Sequence, residues 1–222
     1  MEIPYFYIRR EGSQLITQGI PSCMLGHKID ASFVSGKPQG NYVEWLWDGI
    51  RLTVKTDSLG FYPLYYFFDN DSICVSPSLT KILEFIRDHS LDYPALAVFL
   101  RLGFFIGEDT PFMNIKALPA DADLTWENGE LSLRGGFILP ETVLDHQEMA
   151  VKRVIELFRQ SLNRRLPKGQ PFALTLSGVY DSRHILLELL RMGEIPAFCL
   201  TTRKYPPSTE DDIKIAKKLV EE

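Results

Sequence analysis

Leu174-Thr175-Leu176-Ser177-Gly178-Val179-Tyr180-Asp181-Ser182-Arg183-His184-Ile185-Leu186 passes from strand to helix through a turn of small residues. A β-rich run over 172–176 meets the small residues Ser177 and Gly178, and helical patterning follows at once. That order aims backbone N–H groups and the positive end of a helix at one point beyond the strand's carboxyl end. Such a point is a natural seat for a phosphate.

Around this stretch the second part of the chain alternates helix and strand. Met149, Val154, Leu157, Phe158 and Leu162 share one face of a helix expected over 145–162. Strand 171–177, helix 182–192, strand 196–202 and a final helix follow. Ser208 or Thr209 is the expected N-cap of that last helix, with Glu210, Asp211 and Asp212 in its first turn and Lys214, Lys217 and Lys218 later, as the helix dipole favours. The alternation predicts a parallel, doubly wound sheet. Two strands alone do not make a buried α/β sheet, so the domain is expected to be truncated, or to lean on the first domain or on another chain.

The preceding part reads differently. Residues 5–8, 42–47, 50–56, 64–68 and 72–76 have strand character, separated by turns such as Asp48-Gly49 and Asp69-Asn70-Asp71. Leu79, Ile82, Leu83 and Ile86 space out an amphipathic helix over 78–87, and a second helix over 94–102 stops at Gly103. Residues 118–132 return to strand, turning at Glu127-Asn128-Gly129. The boundary is expected in the stretch from Arg134-Gly135-Gly136 to Pro140, giving domains 1–140 and 141–222.

Composition excludes several functions. Apolar residues make up 45% of the 222 positions, including 14 Phe, 9 Tyr and 3 Trp, enough for a core and too many for disorder. The net charge of −5, with Lys and Arg scattered, argues against nucleic acid. The aromatic run 61–68 therefore reads as core and not as a base-stacking platform. Cys23, Cys74 and Cys199 are odd in number and lie in apolar settings, which points to reduced thiols in a cytoplasmic protein. The first residues, Met1-Glu2-Ile3-Pro4, lack the basic stretch and apolar run expected of a signal peptide, and no apolar run approaches the roughly 18 residues of a membrane span. Gly36-Lys37-Pro38 lacks the rest of a Walker loop, Ser177 follows Thr175 instead of the glycine of a nucleophile elbow, and neither His-Glu-x-x-His nor Gly-x-Gly-x-x-Gly occurs.

The Ser-Gly-x-x-Asp-Ser wording resembles the pyrophosphate loop (PP-loop) of ATP pyrophosphatases, which cleave ATP to AMP and pyrophosphate. Four further stretches resemble the asparagine synthetase family, glutamine-dependent amidotransferases. They are Asp57-Ser58-Leu59-Gly60-Phe61-Tyr62-Pro63-Leu64-Tyr65-Tyr66, then Ser76-Pro77-Ser78-Leu79-Thr80-Lys81, then Gly107-Glu108-Asp109-Thr110-Pro111-Phe112 with Ile115-Lys116-Ala117-Leu118-Pro119, and last Leu162-Asn163-Arg164-Arg165-Leu166 leading into Ser177. The resemblance implies an N-terminal αββα sandwich of the N-terminal-nucleophile (Ntn) hydrolase type, then the start of an α/β PP-loop domain. It implies ATP-dependent adenylation of a small carboxylate and then amide formation, as in asparagine biosynthesis, with ATP and Mg²⁺ bound. A homodimer is left open, as is a degenerate, non-catalytic relative that keeps the fold for assembly.

The departures from the family are as specific. Its glutaminases attack with a cysteine directly after the initiator Met, whereas position 2 here is Glu2. The family's Arg-Leu-Ser and Asn-Gly-Glu segments are absent from the first 50 residues. The first domain is expected to lack glutaminase activity.

Within the loop the resemblance assigns nucleotide binding to Ser177, Gly178, Val179, Asp181 and Ser182, with the serine hydroxyls on pyrophosphate oxygens and Asp181 as the Mg²⁺ ligand. The residues alone equally suit an ordinary strand–turn–helix, with Ser177 as a cap and Asp181 and Ser182 in a favourable first turn. Val179 stands where the family has a second glycine, and a β-branched residue resists positive φ and close phosphate approach. Arg183 is placed either to reach a phosphate or to be solvated, the latter slightly favoured, and His184, three residues from Asp181, reads as no metal partner.

Overall fold

The computed structural model describes residues 2–34, 37–136, 146–167, 169–202 and 212–221. The chain divides into two compact units, Met1–Glu141 and Thr142–Glu222. It is a mixed α+β protein with two antiparallel sheets in the first unit and a small parallel sheet in the second.

The first unit runs β1 (Phe6–Glu11), β2 (Gln14–Gly19), β3 (Ser22–Val34), β4 (Lys37–Trp47), β5 (Arg51–Thr56), β6 (Tyr65–Phe68), β7 (Ser72–Ser76), α1 (Leu79–Leu83), α2 (Tyr93–Leu102), β8 (Ile115–Ala117), β9 (Asp123–Glu127) and β10 (Glu130–Arg134). The first sheet has the order β2-β1-β7-β6-β8 and the second β10-β9-β5-β4-β3. Alternation along each strand sorts the side chains onto faces. Phe6 and Ile8 of β1, Ile73 and Val75 of β7 and Tyr66 of β6 join Val43, Trp45, Leu52, Val54, Leu124 and Trp126 of the second sheet in one core. On the opposite face of the first sheet, Tyr7, Phe67, Cys74 and Ile115 pack with Ile82 and Ile86 from and beside α1. Burial pushes the Cys74 thiol up to about 12, so it is a packing group and no nucleophile.

The expectation that the aromatic run 61–68 is sandwich core holds only in part: Tyr66, with Tyr62 and Phe68, joins the core between the sheets, Tyr65 and Phe67 pack on the helix side, and Phe61 is 64% exposed because strand alternation and the turn at Gly60 leave it outside. Trp47 extends the core cluster toward Phe6 and Trp126, with ring centroids 6.2 and 6.1 Å away. The outward face of the second sheet is open, with Met24, Leu46, Arg51 and Lys55 exposed. Among the described residues a helical layer therefore covers one sheet and not the other.

Glycine matters at two turns. Asn128 and Gly129 both have positive φ (53° and 86°), the geometry of the two-residue hairpin joining β9 to β10. Gly60 has φ +64°, and a Cβ there would lie 3.1 Å from the Ala120 backbone. β2, β3 and β8 carry weak local signals. Every residue of β2 is exposed, and β8 has three residues, so neither shows the alternation that marks a strand.

The Asp57–Tyr66 stretch earns its residues structurally. Asp57 is 1% exposed. Its carboxylate accepts from the N–H groups of Leu59 (2.9 Å), Phe61 (3.3 Å) and Tyr42 (3.2 Å). Its carbonyl accepts from Gly60 and Asp121 (3.1 and 2.9 Å). Next to it, the Thr56 hydroxyl donates to Pro119 O (2.9 Å) and accepts from Ala122 N–H (2.8 Å). Two of the quoted stretches, 57–66 and 115–119, thus meet as one hydrogen-bonded knot.

Replacing Asp57 with Ala leaves three inward N–H groups without an acceptor, each costing about 1–3 kcal/mol if water does not replace it. We expect an Asp57→Ala loss of at least about 2 kcal/mol and a smaller one for Asp57→Asn. Denaturant unfolding followed by tryptophan emission reads this selectively, because Trp45, Trp47 and Trp126 all lie in the first unit. A midpoint unchanged in the alanine variant would contradict the assignment.

Candidate functional site

The second unit contains α3 (Gln147–Arg165), β11 (Ala173–Thr175), α4 (Tyr180–Arg191), β12 (Phe198–Leu200) and α5 (Asp212–Glu221). β11 and β12 pair in parallel, Leu174 opposite Cys199. The ladder runs on through Leu176 N–H to Leu200 O (2.8 Å) and Thr201 Oγ1 to Leu176 O (2.7 Å). Leu176, Leu186 and Ala216 form the core of this unit, with Leu174, Cys199 and Leu219 against it. The expected N-cap at Ser208 or Thr209 lies outside the described residues.

Between Leu176 and α4 the chain makes the expected strand–turn–helix. Ser177 and Ser182 brace it from within. Their hydroxyls lie 2.9 Å apart, Ser177 N–H donates to Ser182 Oγ (3.0 Å), and Ser182 Oγ donates to Ser177 O (3.1 Å). Val179 N–H approaches Ser177 Oγ at 3.4 Å. The two hydroxyls are thus spent on each other and on the loop backbone; they do not point outward. Gly178 is buried, whereas Asp181 is exposed and bonds to no group among the described residues.

Val179 is the N-cap of α4 at φ −87°, ψ 160°. This is ordinary extended backbone, which a β-branched residue prefers. The expected steric objection to valine at this position therefore does not apply. Its consequence is different: a valine side chain accepts no hydrogen bond, so α4 has no side-chain cap. The N–H groups of the first turn, at Tyr180, Asp181 and Ser182, have no intrahelical acceptor to turn to. Arg183 is not simply solvated, since its Nε lies 3.4 Å from Val179 O and its guanidinium 4.7 Å over the Tyr180 ring.

A second cluster on α4 was not legible in the sequence. Glu188 is buried, at 3% side-chain exposure, and accepts from Arg159 Nε (2.7 Å), Arg159 Nη2 (3.3 Å) and Arg191 Nη1 (2.8 Å). The His184 ring stacks on Phe158 with centroids 4.4 Å apart. Together these contacts fasten α3 to α4, behind the loop. The hydrogen bonds from Arg159 hold the Glu188 carboxyl below the usual carboxylate range against its burial. The Arg191 spacing was readable as a helical i,i+3 pair, but Arg159 is 29 positions away and only the packing of α3 on α4 brings it there.

Among the described residues no group of three or more His, Cys, Asp or Glu gathers to hold a metal ion, and no helix is long and apolar enough to cross a membrane. No protein-family model matches the chain, and no curated protein matches it.

The Glu188 cluster predicts a pH dependence. With its folded pKa depressed, its stabilisation is complete above the unfolded value near 4.3 and is lost as pH falls through the lower folded value. Glu188→Gln should therefore speed hydrogen exchange in α3 and α4 at neutral pH, and the difference from wild type should shrink as the solution is acidified below about pH 4. Parallel exchange of the two proteins at pH 7 would exclude this role.

Proposed function

We propose that the chain is an asparagine synthetase-like, ATP-dependent carbon–nitrogen ligase whose first unit no longer hydrolyses glutamine and whose second unit is a PP-loop ATP pyrophosphatase domain. The observation that carries this reading is the uncapped N-terminus of α4, which follows directly on the carboxyl end of β11. An anion at that point would satisfy the first-turn N–H groups and the positive end of the helix together.

In this reading the β- and γ-phosphates sit on the N–H groups of Tyr180, Asp181 and Ser182, and the serine pair keeps the turn in shape instead of touching phosphate. Arg183, beside the loop, supplies the nearby positive charge. Mg²⁺ suits one or two carboxylates plus phosphate oxygens, so the single exposed Asp181 fits a metal that arrives with the nucleotide. The ion would contribute charge neutralisation. A substrate carboxylate oxygen then attacks the α-phosphorus, the α–β P–O bond breaks and pyrophosphate leaves. An amine attacks the resulting acyl carbon, and AMP leaves as the nitrogen loses its proton. The protein's share is positioning and electrostatics.

The loss of glutaminase chemistry is supported by position 2, where Glu2 carries a carboxylate and not the thiol that would attack an amide. The αββα identity of this unit belongs to the same proposal. It is supported by the facing sheets and by α1 on the outer face of the first, while the second helical layer of that fold is not among the described residues.

A non-catalytic relative is the second reading, favoured by the mutual bonding of Ser177 and Ser182. Calorimetry separates the two. Wild type should bind ATP-Mg²⁺ weakly, and Asp181→Asn should cut the Mg²⁺-dependent affinity on the order of tenfold. Val179→Gly should bring no gain, because no positive φ is relieved. Absence of heat at millimolar nucleotide in all three proteins would leave the non-catalytic reading. Separately, purified protein given glutamine should release no ammonia above background, and measurable turnover would overturn the reading of the first unit.

A further inference from the structure

We propose that α2 is the self-association surface of this protein, two copies packing their α2 helices antiparallel across a two-fold axis. This stands apart from the nucleotide reading.

The helix Tyr-Pro-Ala-Leu-Ala-Val-Phe-Leu-Arg-Leu is apolar almost all round, with Arg101 its only charge. A helix of that kind belongs in an interior. Yet Ala95 is its only buried residue. It is tied down near its ends, by Asp92 N–H on Pro111 O (2.9 Å), the Leu91–Phe112 bridge and the Phe99–Phe105 ring stack at 4.7 Å. Between those anchors Tyr93, Ala97 and Leu100 form a bare stripe at the 4- and 3-residue spacing of a helix–helix seam, with Tyr93 73% and Leu100 84% exposed. Exposed Phe104 and Ile106 follow directly after the helix. So much contiguous apolar surface is unusual for a free face.

The occupant is argued from size and charge. Ala97 at the middle of the stripe lets another helix approach closely, and an axis between Ala97 and Leu100 lays each Leu100 on Ala97 of the second copy. The ends are complementary in sign. At the N-terminal end Asp92 and Asp109 share one cation, Lys116, at 4.0 and 3.5 Å, which leaves a net negative charge. Near the C-terminal end Arg101 has no acidic partner among the described residues. Only an antiparallel pairing of two copies brings each Arg101 to the Asp92–Lys116–Asp109 group and to the exposed Tyr93 ring of the other. A parallel pairing would put Arg101 against Arg101.

Sedimentation equilibrium of the full chain tests this. Wild type should sediment at twice the 25.4 kDa chain mass. Leu100→Asp should return it to the single-chain mass with an unchanged far-UV spectrum. Arg101→Glu, at an exposed position that does not bear on folding, should weaken association roughly fivefold to tenfold, and added salt should narrow that difference. Ala97→Cys should give a cross-linked dimer with a short bis-maleimide under conditions where the unmodified chain gives none. A wild type that stays monomeric at about 100 μM overturns the proposal. So does a dimer indifferent to both Leu100→Asp and Arg101→Glu, or a higher oligomer, which a two-fold seam does not build.

Discussion

A buried carboxylate holds the first unit together. Asp57 takes three backbone N–H groups on its side chain and two more on its carbonyl, while Thr56 beside it ties in Pro119 and Ala122. The strand β5 ends there, the turn toward β6 begins there, and the approach to β9 is bonded to both. A charge in such a place is costly unless its lone pairs are used, and here they are used on backbone that no strand ladder reaches. The geometry of the interface between the two sheets follows from this knot, because it fixes where β5 ends and β9 starts relative to β6 and β8.

The second unit uses a carboxylate in a different way. Glu188 meets two guanidinium groups instead of backbone, and what it fixes is one helix on another. Removing the arginines would strand the buried Glu188 charge, whereas Arg159 and Arg191 are themselves 49% and 67% exposed and would return to water if Glu188 were lost. At the opposite end of the same helix the polar groups are left open. Val179 offers no side-chain cap, so the first-turn N–H groups of α4 have no side-chain acceptor at the N-cap and face solvent. Rigid support behind and unsatisfied donors in front are the physical requirements of an anion site.

The quoted stretches of the first unit acquire a common explanation. Asp57 and Gly60 build a turn, Ser76 and Ser78 bond at the strand-to-helix junction, and Thr110, 1% exposed, bonds to Phe112 and Ile115. These residues make corners and caps, and none of them faces a cavity as a reacting group. Such corners answer to the backbone and not to a substrate.

Strand and helix types were legible wherever the local pattern was strong. The alternation in 51–56, the 3- and 4-residue spacing in α4, and the Asn128-Gly129 turn each act over a few residues, and local sterics decide them. The helix expected over 78–87 forms only as α1, Leu79–Leu83, and Ile86 joins the same cluster from the turn beyond it. The strand–turn–helix at Ser177 was legible for the same reason. What lay beyond the sequence was everything set by distant partners. Strands β2 and β8 exist because a neighbour's ladder is available to them. Arg159 meets Glu188 only when α3 lies on α4. The two serines of the loop were readable as hydroxyls, but that they would spend themselves on each other depends on the turn's three-dimensional path. Val179 shows the division most clearly. Its chemistry was known from the sequence, yet whether that chemistry is a steric bar or a missing cap was decided by a single backbone angle, the extended one usual for the residue before a helix, which shows only once the position of the helix start is known.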